Sequence, residues 1–260
     1  MKILNSLKEL YDYREMLSNL VKKDLRTRYK GSVLGFLWTF VNPLLQLVVY
    51  TMVFSVIMKV NVDKFYIYLF IALIPWIFFT SSVQGSASSI VSNKDLIKKI
   101  YFPRIIIPMS VVNGAFMNML FSMVIVGIAL GVSGIGFSKY IFWLPIIMVI
   151  EYLFTLGFSL IVSSLNVYFR DLEHILGIVI MGWFYVTPIV YTTDMIPEKY
   201  LWLVNLNPMA PIMQVYREIL YYKQMPSFNG LGTVLTIGIT MIIAGYMLFQ
   251  KLQKGFAEEL

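Results

Sequence analysis

The chain has 260 residues, of which 58% are apolar and only 13% charged, and its net charge is +7. Soluble domains run about 45–50% apolar and about 25% charged, so a water-soluble enzyme, a disordered chain and a collagen-like chain are excluded, leaving an integral membrane protein. Cysteine is absent and His174 is the single histidine, which excludes a disulfide framework, a thiolate zinc site, a cysteine nucleophile and a His-only metal centre. The basic excess belongs to loops and anionic lipid, not to nucleic acid.

In chain order, residues 1–30 carry Leu7, Leu10, Leu17, Leu20 and Val21 at roughly helical spacing among charges. This predicts an amphipathic helix in the membrane interface, not a signal peptide. Two roles are open for it: anchoring, or a moving gate whose last turn holds Arg26, Arg28, Tyr29 and Lys30. Six runs free of charge, or interrupted once, then follow at 31–58, 65–93, 105–138, 140–169, 175–193 and 224–250. Each is close to or above the roughly 20 residues that cross about 30 Å of hydrocarbon. None alternates with period two, so a barrel is excluded. A seventh run, 200–216, contains Asn205, Asn207, Pro208 and Pro211. Proline breaks the helical ladder, so a short re-entrant helical pair is expected there, sheltered by protein.

The expectation is therefore an all-α integral membrane fold in a single domain, 1–260: an interfacial helix over 1–30, six transmembrane helices within 31–250, a re-entrant pair between spans five and six, and a tail over 251–260. With six spans both ends lie on one side. That side carries fifteen of the 21 Lys and Arg, so the bias places both termini in the cytoplasm.

Few residues could carry chemistry. No phosphate-binding glycine loop is present, and no segment outside the spans is longer than about thirty residues, so energy must come from a gradient or a partner. Glu151 is the one acid deep inside a span, about 17 Å past Tyr140 along a helix. With Thr155, Ser159, Ser163, Asn166 and Arg170 it forms one polar stripe, which suits either a hydrated path or a polar helix interface. Small residues, including Ser81, Ser82, Gly85 and Ser86 and the pairs Gly31/Gly35 and Gly127/Gly131, suit close helix packing. Most aromatics suit interfacial belts. Tyr50, Phe54, Trp183, Phe184 and Tyr185 lie inside spans and suit stacking against sugar rings. The cluster Arg170, Asp171, Glu173 and His174 reads as a docking turn, not a proton relay.

Four stretches resemble type-2 ABC export permeases, in the branch that exports O-antigen and teichoic-acid polysaccharides. They are 28–38 with Asn42-Pro43-Leu44; Lys98-Lys99-Ile100-Tyr101-Phe102-Pro103-Arg104; Asn166-Val167-Tyr168-Phe169-Arg170-Asp171; and Thr187-Pro188-Ile189-Val190-Tyr191 with Leu206-Asn207-Pro208-Met209. They span essentially the whole chain in the family's order. The resemblance implies a multi-pass permease of the bacterial cytoplasmic membrane that works as a homodimer with two ABC ATPase subunits. ATP and Mg sit on those partners, and this chain holds no cofactor, metal or catalytic residue. The cargo it implies is a polysaccharide linked to undecaprenyl diphosphate. It also implies two coupling segments, one holding Asn93, Lys94, Asp95, Lys98, Lys99, Tyr101 and Phe102, the other Arg170, Asp171, Glu173 and His174. An exporter of small lipids or drugs is the nearest alternative. A membrane transferase using Glu151 or His174, and a gradient-driven carrier, are alternatives of other classes. A transferase wants catalytic groups converging at one level, and a carrier wants several intramembrane acids.

Overall fold

The computed structural model describes residues 8–9, 11–29, 31–57 and 62–260, and every regular element among them is helical. Helix α1 is Arg14–Tyr29. Helix α2, Trp38–Thr51, is approached through the tight turn Gly35–Leu37 and prolonged by the wider-wound Met52–Ile57. Then come α3, Phe65–Ser92; α4, Lys94–Lys99; α5, Ile106–Val132; and α6, Leu144–Tyr168. The chain continues with α7, Leu172–Val186; α8, Leu201–Leu206; α9, Met209–Leu220; α10, Phe228–Leu252; and α11, Phe256–Glu259.

Among the described residues five helices are long and apolar enough to cross a membrane: Gly35–Ser55, Phe65–Ser92, Ile106–Val132, Lys139–Tyr168 and Asn229–Gly255. The expected span over 175–193 differs. Its helix, α7, has 15 residues, about 22 Å at 1.5 Å per residue. The cause is Pro188, which pushes Thr187 into an extended conformation (ψ 130°) and stops the helix at Val186. The run over 105–138 is likewise shortened, because Gly134 and Gly136 turn the chain with positive φ.

Helix α3 is the hub. It packs on α2, α5, α6, α7 and α9, and its residues from Ile67 to Ile74 are buried without interruption. Alongside it, α6 packs most extensively on α10. Their contact is backbone on backbone: a Cβ at Gly157 would collide with the Met241 carbonyl, and one at Gly245 with the Gly157 carbonyl. Helices in lipid gain little from burying apolar area against each other, so such close approach is what dispersion requires. The Gly31/Gly35 and Gly127/Gly131 pairs do not serve this purpose. Gly31, Gly35 and Gly131 have nothing within 4 Å of a built Cβ. The small residues of α3 do, since Gly85 lets Val111 of α5 approach to 2.9 Å of that position.

Helix α1 does not only face the interface. It packs along α5, with Met16, Leu17 and Leu20 against the core and the Asp24 carboxylate 2.9 Å from the Cβ position of Gly114. Leu7 and Leu10, also expected on its apolar face, lie outside the described residues. One end of the molecule gathers α1, α4, the α6–α7 turn and the end of α10. There Tyr13 Oη donates to Tyr101 O (3.4 Å), Arg104 Nη1 to Gln253 O (2.5 Å) and Tyr168 Oη to Leu252 O (2.8 Å). The opposite end holds the start of α3, the segment after α7, and the helical pair α8 and α9.

Replacing Gly157 by Ala is expected to cost about 1–3 kcal/mol through overpacking, seen as a lower melting temperature of the purified protein. Gly131→Ala, which meets nothing, is expected to change it by less than about 0.5 kcal/mol.

Candidate functional site

Consecutive residues on α7 point about 100° apart, so Trp183, Phe184 and Tyr185 take three directions. Phe184 turns inward and stacks on Tyr50 of α2, with centroids 5.2 Å apart and planes 24° apart. It also meets Trp76 of α3 at 5.8 Å. Trp183 meets Phe79 of α3 at 5.2 Å and Phe158 of α6 at 5.7 Å. Phe79 in turn stacks on Phe154 at 5.6 Å. Tyr185 is 59% exposed. Phe54, one turn beyond Tyr50, packs partly buried against the core. The structure therefore joins Tyr50, Trp183 and Phe184 into one aromatic array between α2, α3, α6 and α7, with the exposed Tyr185 at its edge, its ring 5.3 Å from that of Phe184. Trp76, Phe79, Phe154 and Phe158 complete the array, beyond the residues that sequence reasoning singles out. Their i, i+3 and i, i+4 spacings are the signal that could have found them.

Behind the array, Asn207 joins the broken end of α7 to α9. Its Oδ1 accepts from Trp183 Nε1 (2.7 Å) and from the Met209 amide (3.0 Å), while its Nδ2 donates to Thr187 Oγ1 (2.9 Å). Thr187 Oγ1 donates to Trp183 O (2.8 Å). Both polar atoms of the Asn207 side chain are thus engaged, and the indole is fixed by a neutral network.

Arg217 of α9 is the second joint. Only 1% exposed, it lays its guanidinium 3.6 Å from the Tyr68 ring centroid. Its Nη1 donates to Pro188 O (2.5 Å) and its Nη2 to Ile189 O (2.6 Å). Those carbonyls follow the helix break and have no helical partner, so the cation supplies the missing donors. By charge count Arg217 passes for a loop cation; the structure buries it. Beyond it, Tyr221 Oη donates to Asp63 O (2.5 Å), and burial raises its phenol pKa above the ordinary value.

Glu151 has no exposed surface. Its Oε2 accepts from Tyr216 Oη of α9 at 2.6 Å. Thr155, Ser159 and Ser163 are equally enclosed, so within this protomer the polar stripe faces neighbouring helices and lines no open surface. Nearer the terminal end Asn166 Oδ1 accepts from the Glu173 amide (3.1 Å) and caps the start of α7.

At that end, Asn93 Nδ2 donates to Ser89 O (2.8 Å), ending α3, and α4 begins at once. Lys94, Asp95, Lys98 and Lys99 are exposed, and Tyr101 is 87% exposed. Phe102 differs from expectation: it is buried in the core and anchors the turn from beneath. Arg170, Asp171, Glu173 and His174 form the second exposed turn, beside the exposed Phe169. Of the expected gate residues, Arg26 is exposed, Arg28 and Tyr29 close α1, and Lys30 lies outside the described residues.

The family model of the ABC-2 type transporter matches residues 16–221. The O-antigen export system permease protein RfbA of Myxococcus xanthus is 34% identical over 264 residues, covering 99% of this chain and 100% of the relative. A protein of the same name from Klebsiella pneumoniae is 37% identical over 261 residues, covering 100% and 99%. The polysialic acid transport protein KpsM of Escherichia coli is 24% identical over 234 residues, covering 86% and 90%.

Replacing Arg217 by Met leaves two buried carbonyls without donors, and is expected to cost about 2–4 kcal/mol. Limited proteolysis should then cut the chain between α7 and α9. Arg217→Lys should restore part of the stability, since a lysine keeps the charge but lacks the planar fork that serves both carbonyls.

Proposed function

The chain belongs to the ABC-2 type transporter family, and we propose that it is the membrane permease of an ATP-driven exporter of lipid-linked polysaccharide of the O-antigen class. The observation that carries this reading is the aromatic array of Tyr50, Trp183 and Phe184 between membrane helices, in a chain matched end to end by O-antigen export permeases. Aromatic faces offer flat contact area at little rotamer cost, which suits a succession of sugar rings. Export of a small lipid or drug makes no demand for such rings.

In this reading the chain is one transport domain in the bacterial cytoplasmic membrane, crosses it six times, and has both termini in the cytoplasm. The course of the chain supports six crossings. Arg170 Nη2 donates to the Glu259 carbonyl at the terminal end (3.5 Å), whereas Tyr191 O accepts from Tyr68 at the opposite end (3.3 Å), so α7 and its extended tail together make the fifth crossing. Helices α8 and α9 then dip from the outer face and return, which accounts for Tyr216 reaching Glu151 and for Tyr221 lying beside Asp63. Arg217 and Asn207 supply the shelter that such irregular backbone needs.

Two copies leave a passage between them that one six-helix chain cannot enclose. Helices α2 and α7 face that passage, with Tyr50, Phe54, Trp183, Phe184 and Tyr185 along it, and Glu151 behind it. Two ATPase subunits, which bind ATP and Mg, dock on the exposed turns. Lys94, Asp95, Lys98, Lys99 and Tyr101 meet them from one turn, with Asn93 and Phe102 setting its ends, and Arg170, Asp171, Glu173 and His174 meet them from the other. Helix α1 serves as the gate at the cytoplasmic mouth.

Two experiments test the reading. Lys98→Glu with Lys99→Glu should leave the protein level unchanged and abolish most of the ATPase activity that transport stimulates; unaltered coupling contradicts the docking assignment. Trp183→Ala should reduce surface polysaccharide while the complex still assembles. Normal export in that variant, or crosslinks that place α7 on the outer lipid face of the dimer, overturns the path.

A further inference from the structure

At the terminal end a pocket of about 310 Å³ opens between the segment before α1, the α4–α5 connection and the last turns of α10. Glu9, Arg104, Gln250, Gln253 and Lys254 are among its walls. Arg104 stands two residues before α5, and Gln250 about 33 Å along α10 from its start, so the pocket lies at the membrane border.

Hydrogen-bond donors converge there. The Arg104 guanidinium is held in place by Nη1, which donates to Gln253 O (2.5 Å), and lies 5.9 Å from the Phe256 ring. That bond engages one of its five N–H groups. Gln250 Oε1 accepts from Gln253 Nε2, which leaves the Gln250 amide nitrogen to donate. Lys254 is exposed and adds an ammonium. Two cations and an amide call for an anionic acceptor, and the planar guanidinium matches a phosphate. Glu9, exposed at the mouth, opposes a second anionic group and accepts from a hydroxyl or an ammonium beyond the phosphate.

Below the pocket the same face of α10 is apolar. Ile239, Ile243 and Met247 are exposed, and with Gln250 and Lys254 they form one stripe at spacings of 4, 4, 3 and 4. A site for an anion thus sits directly above an apolar track that runs into the membrane, as the head of a phospholipid sits above its chains.

We propose that this pocket seats the phosphodiester of one membrane glycerophospholipid on Arg104, Gln250 and Lys254, with an acyl chain along Met247 and Ile243. The occupant is a resident lipid and not the cargo, because α10 packs chiefly on α6 and α9, not on α2 and α7, to which the passage is assigned. Through Arg104 and Lys254 the phosphate ties the connection that follows α4 to the end of α10, and so braces the exposed turn. The inference needs only a membrane around the bundle and stands apart from the nature of the cargo.

The test uses the full chain in its assembled complex, purified in neutral detergent and stripped of lipid, with native mass spectrometry counting what rebinds. Phosphatidylglycerol should fill one tight site per chain. Lys254→Glu, a change to an exposed side chain, should weaken that binding about tenfold, the worth of one charge-assisted hydrogen bond. Arg104→Gln should do the same, and Lys139→Gln at the opposite end should leave it unchanged. Because Arg104→Gln also removes the donor to Gln253 O, Lys254→Glu decides if that variant does not assemble, and unchanged binding there overturns the proposal. Dioleoylglycerol, which lacks the phosphate, and glycerol 3-phosphate, which lacks the chains, should each bind about tenfold more weakly than phosphatidylglycerol. Equal binding of the first reduces the site to an apolar face, and equal binding of the second makes it a site for free phosphate; either overturns the proposal. Undecaprenyl phosphate that displaces phosphatidylglycerol at a lower concentration overturns the resident lipid while leaving the export reading standing.

Discussion

The structure depends on how the backbone is satisfied where α7 stops. In hydrocarbon an unpaired carbonyl costs several kcal/mol, and Pro188 ends α7 well before its apolar run does. Arg217 from the following segment meets that demand, and Asn207 ties the same break to the helices that follow. Arg217 donates to the carbonyls of Pro188 and Ile189, and Asn207 binds Thr187, the Trp183 indole and the Met209 amide. The break is therefore closed by the returning chain itself. This is also why α9 sits deep enough for Tyr216 to reach Glu151. An arginine over a tyrosine face with two carbonyl acceptors is strongly held even when desolvated, so a conspicuous cation serves as a joint between elements.

That joint has a consequence for the aromatic array. Trp183 lies in the last turn of α7, and its indole nitrogen is bound to the first residue past α8. The ring is consequently fixed by both α7 and the pair α8 and α9, so a shift of that pair moves the indole. Phe184 has no polar atom and is held by packing, stacked on Tyr50 and in contact with Trp76 and Tyr185. One neighbour is thus fixed by hydrogen bonds and the next by packing alone.

Much of this is legible in the sequence, and the remainder has a physical reason for being hidden. The run over 65–93 becomes Phe65–Ser92, and that over 224–250 becomes Phe228–Leu252, because an uninterrupted apolar stretch in lipid has little alternative to a helix. The array residues Tyr50, Trp183 and Phe184 are visible as aromatics inside spans. Their partner Trp76 does not stand out from other aromatics, since stacking joins helices far apart in sequence. Gly157 and Gly245 are 88 positions apart and belong to no short motif, so their contact follows only from the packing of α6 on α10. Phe102 groups by sequence with the exposed residues of its turn, but an aromatic beside a proline in a short turn can point either way, and here it points into the core. Arg217 counts among loop charges because charge tallies do not see which carbonyls lie nearby.

Glu151 completes the picture of how polarity is placed in this bundle. Thr155 and Ser159 follow it on α6, Ser82 and Ser86 lie on the neighbouring α3, and none of these four hydroxyls has a hydrogen-bond partner among the described atoms. By contrast Ser89, Ser110, Ser163 and Ser164 each bond back to a carbonyl of their own helix. Hydroxyls that forgo that local bond leave an interface less tightly committed than one sealed by glycine against carbonyl, as between α6 and α10. The bundle is therefore unequal on the two sides of α6. Toward α10 it is locked by backbone contact, while toward α3 it meets a seam of small polar groups whose bonds can be made elsewhere. A rearrangement of the bundle meets less resistance on the α3 side of α6, where Phe154 and Phe158 join the aromatic array.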